Sequence, residues 1–254
     1  MPPSLRYERP YRVRFDECGP DGHLRGSGFL RYAQDLAWVH SESLGFGRDW
    51  YSDRRLTWLI RAVELELVDS VTYGEGISVS TEVLGFRRAW ARRRSEFDRH
   101  GSQRTVALAT TDWLLLNRHG APVRVPSEIL ERFDVAGAGH LTPLRVEIGE
   151  PRVDASERRF HVRRSELDPM DHVNNAAYME YVDEHLAAAG RTSMLRHLPR
   201  RYRVEFVASA EHGEELVGCG WPDEHGWWYK LAAADGRELV RARVETDPAR
   251  WVGG

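Results

Sequence analysis

With 254 residues, 41% of them hydrophobic and 30% charged, the chain has apolar material for one large core or for two of about 120 residues each. A formal net charge of -3 gives no global attraction to nucleic acid. Two cysteines, Cys18 and Cys219, are too few for a disulfide framework or a Cys-rich zinc site, and neither a signal-type apolar region nor a run approaching about 18 apolar residues is present. The expectation is a soluble cytoplasmic protein without metal or cofactor and with no affinity for membranes.

In chain order, Tyr11-Arg12-Val13-Arg14-Phe15 reads as a strand and leads into the turn Gly19-Pro20-Asp21-Gly22-His23-Leu24, where Pro20 fixes φ. Phe29, Leu30, Ala33, Ala37 and Leu44 fit a 3.6-residue period and predict a helix stopped by Gly45. Alternation over 62–68 predicts a strand. Residues 86–97 and 104–116, separated by Asp98-Arg99-His100-Gly101, predict a hairpin. The small, Gly-rich stretch from about 134 to 143 reads as a linker.

The second half repeats the plan. Arg159-Phe160-His161-Val162-Arg163 is the strand and Asp168-Pro169-Met170-Asp171-His172-Val173 the turn. Tyr178, Met179, Val182, Leu186 and Ala189 form a helix stopped at Gly190, with Asn174 or Asn175 as its cap. Strands follow at 202–207, 226–233 and 238–246. An internal repeat of this kind defines the domains, expected at 1–135 and 144–254. Each is an α+β unit whose antiparallel sheet buries the apolar face of one long helix.

The segment Ser165-Glu166-Leu167-Asp168-Pro169-Met170-Asp171-His172-Val173-Asn174-Asn175-Ala176-Ala177-Tyr178 resembles the signature of hotdog-fold thioesterases. In its Ser-x-Leu-Asp and His-Val-Asn-Asn-x-x-Tyr form it is similar to the acyl-ACP thioesterases. Thr57-Trp58-Leu59-Ile60-Arg61 resembles a segment that those enzymes carry after their first helix. The resemblance implies two tandem hotdog domains. It also implies hydrolysis of a fatty acyl thioester to free fatty acid, with acyl carrier protein or CoA as the thiol carrier and a monomer or homodimer as the assembly. By the same resemblance the N-terminal unit accommodates the acyl chain and the C-terminal unit carries the chemistry. The residues agree with that polarity, because Gly19, Arg25 and Gly26 stand where the second half has Asp168, Asn174 and Asn175.

Thioester hydrolysis needs an activated water or a nucleophile, an oxyanion stabiliser and a channel for the chain. Asp168 is the expected base or nucleophile; its bland alternative is an ordinary turn residue. His172 is expected to orient water or the thioester, and Asn174 to position it. Asn175 and Trp58 are expected to bind substrate, together with Val173, near which free N–H groups at the helix start offer an oxyanion site. Trp38, Trp50 and Phe46 are further candidates for the channel. Glu180, Asp183 and Glu184 on the helix, and Asp16 and Asp21 with His23, are secondary acidic candidates. Arg87, Arg88, Arg92, Arg93 and Arg94 form a run that either docks an acidic carrier or is a solvated face.

Two departures from the plant pattern stand out. Met170 replaces an Asn, and Ser209-Ala210 replace a Glu-Cys pair, with Glu211 the nearest acid. They favour a carboxylate mechanism centred on Asp168. They also leave open a non-catalytic acyl-binding module; a hydroxyacyl dehydratase needs a His and acid pair that is not evident.

Overall fold

The chain groups into two units, residues 1–63 with 69–143 and residues 64–68 with 144–254. The computed structural model describes residues 6–102, 104–134 and 141–251. Most of the expected linker, residues 135–140, lies outside the described residues.

The first unit contains β1 (Arg6–Arg12), α1 (Gly26–Ser43), α2 (Arg48–Arg54), most of β2 (Leu56–Leu67), β3 (Gly76–Arg87), β4 (Trp90–Arg99), β5 (Arg104–Asn117) and α3 (Ser127–Phe133). Its strands lie in the order β1-β3-β4-β5-β2, and β1/β3, β3/β4 and β4/β5 pair antiparallel. The second contains β6 (Ser156–His161), α4 (Asn175–Ala188), α5 (Thr192–Arg196), β7 (Arg200–Phe206), β8 (Glu215–Pro222), β9 (Gly226–Ala233) and β10 (Glu238–Glu245). Its order is β6-β8-β9-β10-β7, element for element that of the first unit. Both are α+β units of the hotdog type.

Each long helix follows from its periodicity. Phe29, Leu30, Ala33, Leu36 and Ala37 of α1 are buried, as are Tyr178, Met179, Val182 and Leu186 of α4, giving each helix one apolar stripe for its sheet. Burying each large side chain is worth about 1.5–3 kcal/mol, which outweighs the absence of a side-chain cap on α1. Gly45 and Gly190 follow the helix ends at φ of 94° and 74°, a left-handed conformation that glycine adopts without a Cβ penalty.

The strands differ from expectation in three places. β1 and β6 begin earlier than predicted and end before Phe15 and Val162, because Phe15–Glu17 and Arg164–Glu166 turn into short 3-10 helices. Expected strand 86–97 is broken by a turn at Arg88, whose φ is 54°; no glycine marks it. Four strands are expected after each helix, but β3 and β8 had no predicted range, since β3 interleaves Ser and Thr with its apolar residues and β8 holds Gly218 and Gly220. Among the described residues no helix is long and apolar enough to cross a membrane.

Candidate functional site

The two predicted turns share one hydrogen-bond pattern. In the second unit the Asp168 N–H donates to the His172 carbonyl at 2.8 Å, and the Asp171 N–H to the Asp168 carbonyl at 3.0 Å. In the first unit Gly19 and His23, then Gly22 and Gly19, make the same bonds at 2.8 and 2.9 Å. Asp171 and Gly22 both have positive φ, 62° and 79°. Beneath each turn a buried glutamate is tied to a helix tyrosine: Tyr181 donates to Glu166 at 2.6 Å, and Tyr32 to Glu17. Both tyrosine pKa values are raised, chiefly by burial and then by these carboxylates.

What differs is the side-chain chemistry. Asp168 is partly buried, and its Oδ1 accepts the Met170 N–H at 2.8 Å. This is the bond of an Asx turn, and it leaves Oδ2 as the oxygen not engaged by that turn. Gly19 offers no carboxylate at the matching point. Pro169 and Met170 are exposed, so the turn projects from the fold. The partly buried His172 closes it.

Asn174 is the helix cap: its Oδ1 accepts the Ala176 N–H at 2.9 Å. Its amide NH2 is not used by this cap and remains for other work. Asn175 is the first residue of α4 and is partly buried. The expectation that the Val173 N–H is free is corrected, since it donates to the Ala210 carbonyl at 3.1 Å, while the Asn174 N–H goes to Glu166. Bonds along the helix start thus occupy Val173, Asn174, Ala176 and Ala177. Among the described residues, the N–H groups of His172 and Asn175 make no such bond.

Ala210, read from the sequence as a departure, is an integral part of this region. It is fully buried, and its N–H donates to the Tyr178 hydroxyl at 2.7 Å. Burial pushes the Tyr178 pKa up to about 12, so the hydroxyl stays neutral. The neighbouring Glu211 is exposed.

The secondary acids have other partners. Asp183 accepts the Tyr202 hydroxyl at 2.8 Å, and Glu184 pairs with Arg158 at 2.7 Å. Glu180 is partly buried on α4. Asp16 pairs with Arg14, and Asp21 accepts the His23 N–H at 3.1 Å, so these first-unit groups are used locally. No cluster of three or more His, Cys, Asp or Glu side chains suited to a metal occurs among the described residues.

The first unit contains a cavity of about 80 Å³ lined by residues of its helices and of β2, β3, β4 and β5, among them Trp38, Trp58, Trp113, Phe86 and Phe133. Trp58 lies on β2 with its Nε1 donating to Tyr51 at 3.1 Å. Trp38 also lines the space, whereas Phe46 and Trp50 pack in the cluster around it. Sequence reasoning missed Gln34, Tyr51 and, as a lining residue, Arg93. The arginine run divides as strand alternation requires. Arg93 points inward, Arg94 is exposed, Arg92 binds Asp112 at 2.7 and 2.8 Å, and Arg87 donates to the Leu141 carbonyl.

Residues 4–133 match the family model "Acyl-ACP thioesterase N-terminal domain" and residues 149–245 match "Acyl-ACP thioesterase C-terminal domain". The chain is 22% identical over 217 residues to the uncharacterized protein Rv2001 of Mycobacterium tuberculosis, covering 83% of this chain and 80% of that one. It is 21% identical over 268 residues to the chloroplastic acyl-[acyl-carrier-protein] hydrolase FATB2 of Cuphea viscosissima, with 96% of this chain and 63% of that protein's length aligned. In fold it is similar to an acyl-ACP thioesterase from Bacteroides thetaiotaomicron, at a TM-score of 0.80 and 17% identity over 96% of this chain and 98% of the other.

Proposed function

The chain belongs to the acyl-ACP thioesterase family, and from that premise we propose that it hydrolyses fatty acyl-ACP to free fatty acid and carrier protein. The observation that carries the assignment of the chemistry is the pair of matching turns. They share their backbone bonds and a histidine, His23 or His172, but only the second unit adds Asp168, Asn174 and Asn175. In this reading the domains divide near residues 135–144, the first unit holds the acyl chain and the second supplies the reacting groups.

Asp168 acts through Oδ2 as the general base. It takes a proton from water as the water oxygen bonds to the thioester carbonyl carbon. The charge that develops on the carbonyl oxygen is met by the N–H groups of His172 and Asn175, at the positive end of α4. The C–S bond then breaks, and the phosphopantetheine sulfur leaves with the proton returned from Asp168. The His172 ring and the Asn174 amide NH2 hold the thioester in line. Val173 contributes indirectly, by fixing the turn to Ala210, and Trp58 lines the chain cavity.

The test is steady-state hydrolysis of acyl-ACPs and acyl-CoAs from C4 to C18 by the wild type and by Asp168→Asn. Asparagine can still accept the Met170 N–H, so the turn keeps its shape while the base is lost. A fall of about 100-fold or more fits removal of a general base. Absence of turnover on every thioester by the wild type would overturn the reading and leave an acyl-binding module. The ratio of ACP to CoA turnover identifies the carrier.

A further inference from the structure

β4 turns Ala91, Arg93, Ser95 and Phe97 inward, all of them buried. Successive residues of a strand face opposite sides, so Arg93 occupies a position that its neighbours fill with small or apolar side chains. It is only 7% exposed. Its Nη1 donates to His40 Nδ1 at 3.1 Å, and its guanidinium carbon lies 5.4 Å from the centre of the Phe133 ring. That bond makes Nδ1 the acceptor and puts the His40 proton on Nε2. The imidazole stays neutral, because burial first and Arg93 second pull its pKa down to about 3.

Among the described residues the charge of Arg93 has no acidic counterpart. Burial pulls its pKa down to about 10, opposed only by Tyr51, and no carboxylate is bonded to it among the described residues. At neutral pH the guanidinium still carries its charge. Burying an ion without a partner is costly, yet here it borders the same cavity as Gln34 and Tyr51. Tyr51 in turn is held by Ser41 at 3.0 Å and by Trp58. The rest of the lining, including Ala37, Val83, Phe86, Ile129 and Phe133, is apolar. An all-hydrocarbon chain would leave the guanidinium donors facing methylene groups. A carboxylate would neutralise the charge and match its planar fork with two parallel hydrogen bonds.

We propose that the cavity of the first unit takes an acyl chain whose buried end carries a carboxylate, bound by Arg93 with Gln34 and the Tyr51 hydroxyl beside it. The proposal rests on the acyl-thioester reading above. It makes Arg93 a specificity-determining residue, and the preferred substrate an α,ω-dicarboxylic half-thioester.

Binding can be read without turnover, because Trp38, Trp58 and Trp113 line the cavity and report on it by fluorescence. The probes are monomethyl octanedioate, methyl octanoate and methyl 8-hydroxyoctanoate, titrated at pH 7 into wild type, Arg93→Met and Arg93→Lys. The charged ester is expected to bind at least about tenfold more tightly than methyl octanoate, as a hydrogen bond to a charged group warrants. Arg93→Met should abolish that preference, and Arg93→Lys, which keeps the charge and serves as a folding control, should retain part of it. Equal or tighter binding of methyl octanoate, tightest binding of the hydroxy ester, or an unchanged ratio in Arg93→Met would each overturn the proposal. Turnover of 7-carboxyheptanoyl-ACP against octanoyl-ACP is then compared. Hydrolysis of both without discrimination sinks the carboxylate preference alone. Discriminating binding with no hydrolysis of any thioester sinks the hydrolase reading and leaves this inference standing.

Discussion

The Tyr178 hydroxyl accepts the Ala210 N–H at 2.7 Å in the buried interior of the second unit. The Ala210 carbonyl in turn accepts the Val173 N–H, so helix, turn and the loop between β7 and β8 are tied through one residue. The first unit makes the second of these bonds, from Leu24 to Val71 at 2.8 Å, but has Phe29 where the second has Tyr178. Tyr178→Phe is therefore expected to fold and to lose about 1–3 kcal/mol, the cost of an unsatisfied buried donor. Chemical denaturation measures it; a loss within about 0.5 kcal/mol would show that Ala210 finds another acceptor.

Asp168→Asn and Asp168→Ala should separate chemistry from turn geometry. The asparagine variant keeps the acceptor for Met170 and is expected to hold its melting temperature while activity collapses. The alanine variant loses the Asx bond as well, and should fall in stability by roughly 1 kcal/mol. If both variants melt alike and both remain active, Asp168 is a turn residue only.

Acid should weaken the fold through its buried histidines. The His185 Nε2 lies 2.9 Å from the Ser156 hydroxyl, and burial first, with Arg158 second, pulls its pKa down to about 4. In the unfolded chain histidine titrates near 6.5. Between the two values the unfolded chain binds a proton that the folded chain refuses. The contribution is thus complete above about pH 6.5 and is lost as pH falls towards 4. His40 acts with the same sign. His185→Gln is expected to shrink the drop in urea midpoint between pH 7 and pH 5; equal drops in both proteins would count against this account.

Arg92 and Asp112 form a two-pronged pair in which the aspartate side chain is fully buried. Arg92→Met leaves that carboxylate without its main counter-charge. A loss of roughly 3 kcal/mol is expected, as for a broken buried pair. Guanidinium denaturation decides, and a loss under about 1 kcal/mol would place the pair among the weak surface bridges.

The duplication and the two long helices were legible in the sequence because they rest on local signals. Apolar residues at 3.6-residue spacing mark α1 and α4, and Gly45 and Gly190 mark their ends. The turn skeletons were legible too, since Pro20 and Pro169 fix φ, a residue before proline such as Asp168 is restricted in turn, and Gly22 tolerates positive φ. β3 and β8 were not, because mixed Ser, Thr and Gly content hides a strand whose stability comes from its neighbours. The turn at Arg88 was hidden for a related reason: a non-glycine residue holds positive φ there only because β3 and β4 pair on either side of it.

The sequence by itself determined the repeated α+β plan, the family resemblance and the asymmetry that puts Asp168, Asn174 and Asn175 in the second half alone. Periodicity, turn chemistry and residue identity are properties of neighbours along the chain, so they survive without coordinates. Only the tertiary structure decided which backbone donors remain free. It gave the Val173 N–H to Ala210, made Asn174 a cap and, among the described residues, left the N–H groups of His172 and Asn175. It also turned Arg93 from one member of a basic run into a buried cation beside His40. Hydrogen-bond partners and burial come from residues far apart in the chain, such as Arg93 and His40, and no local pattern encodes which of them will meet.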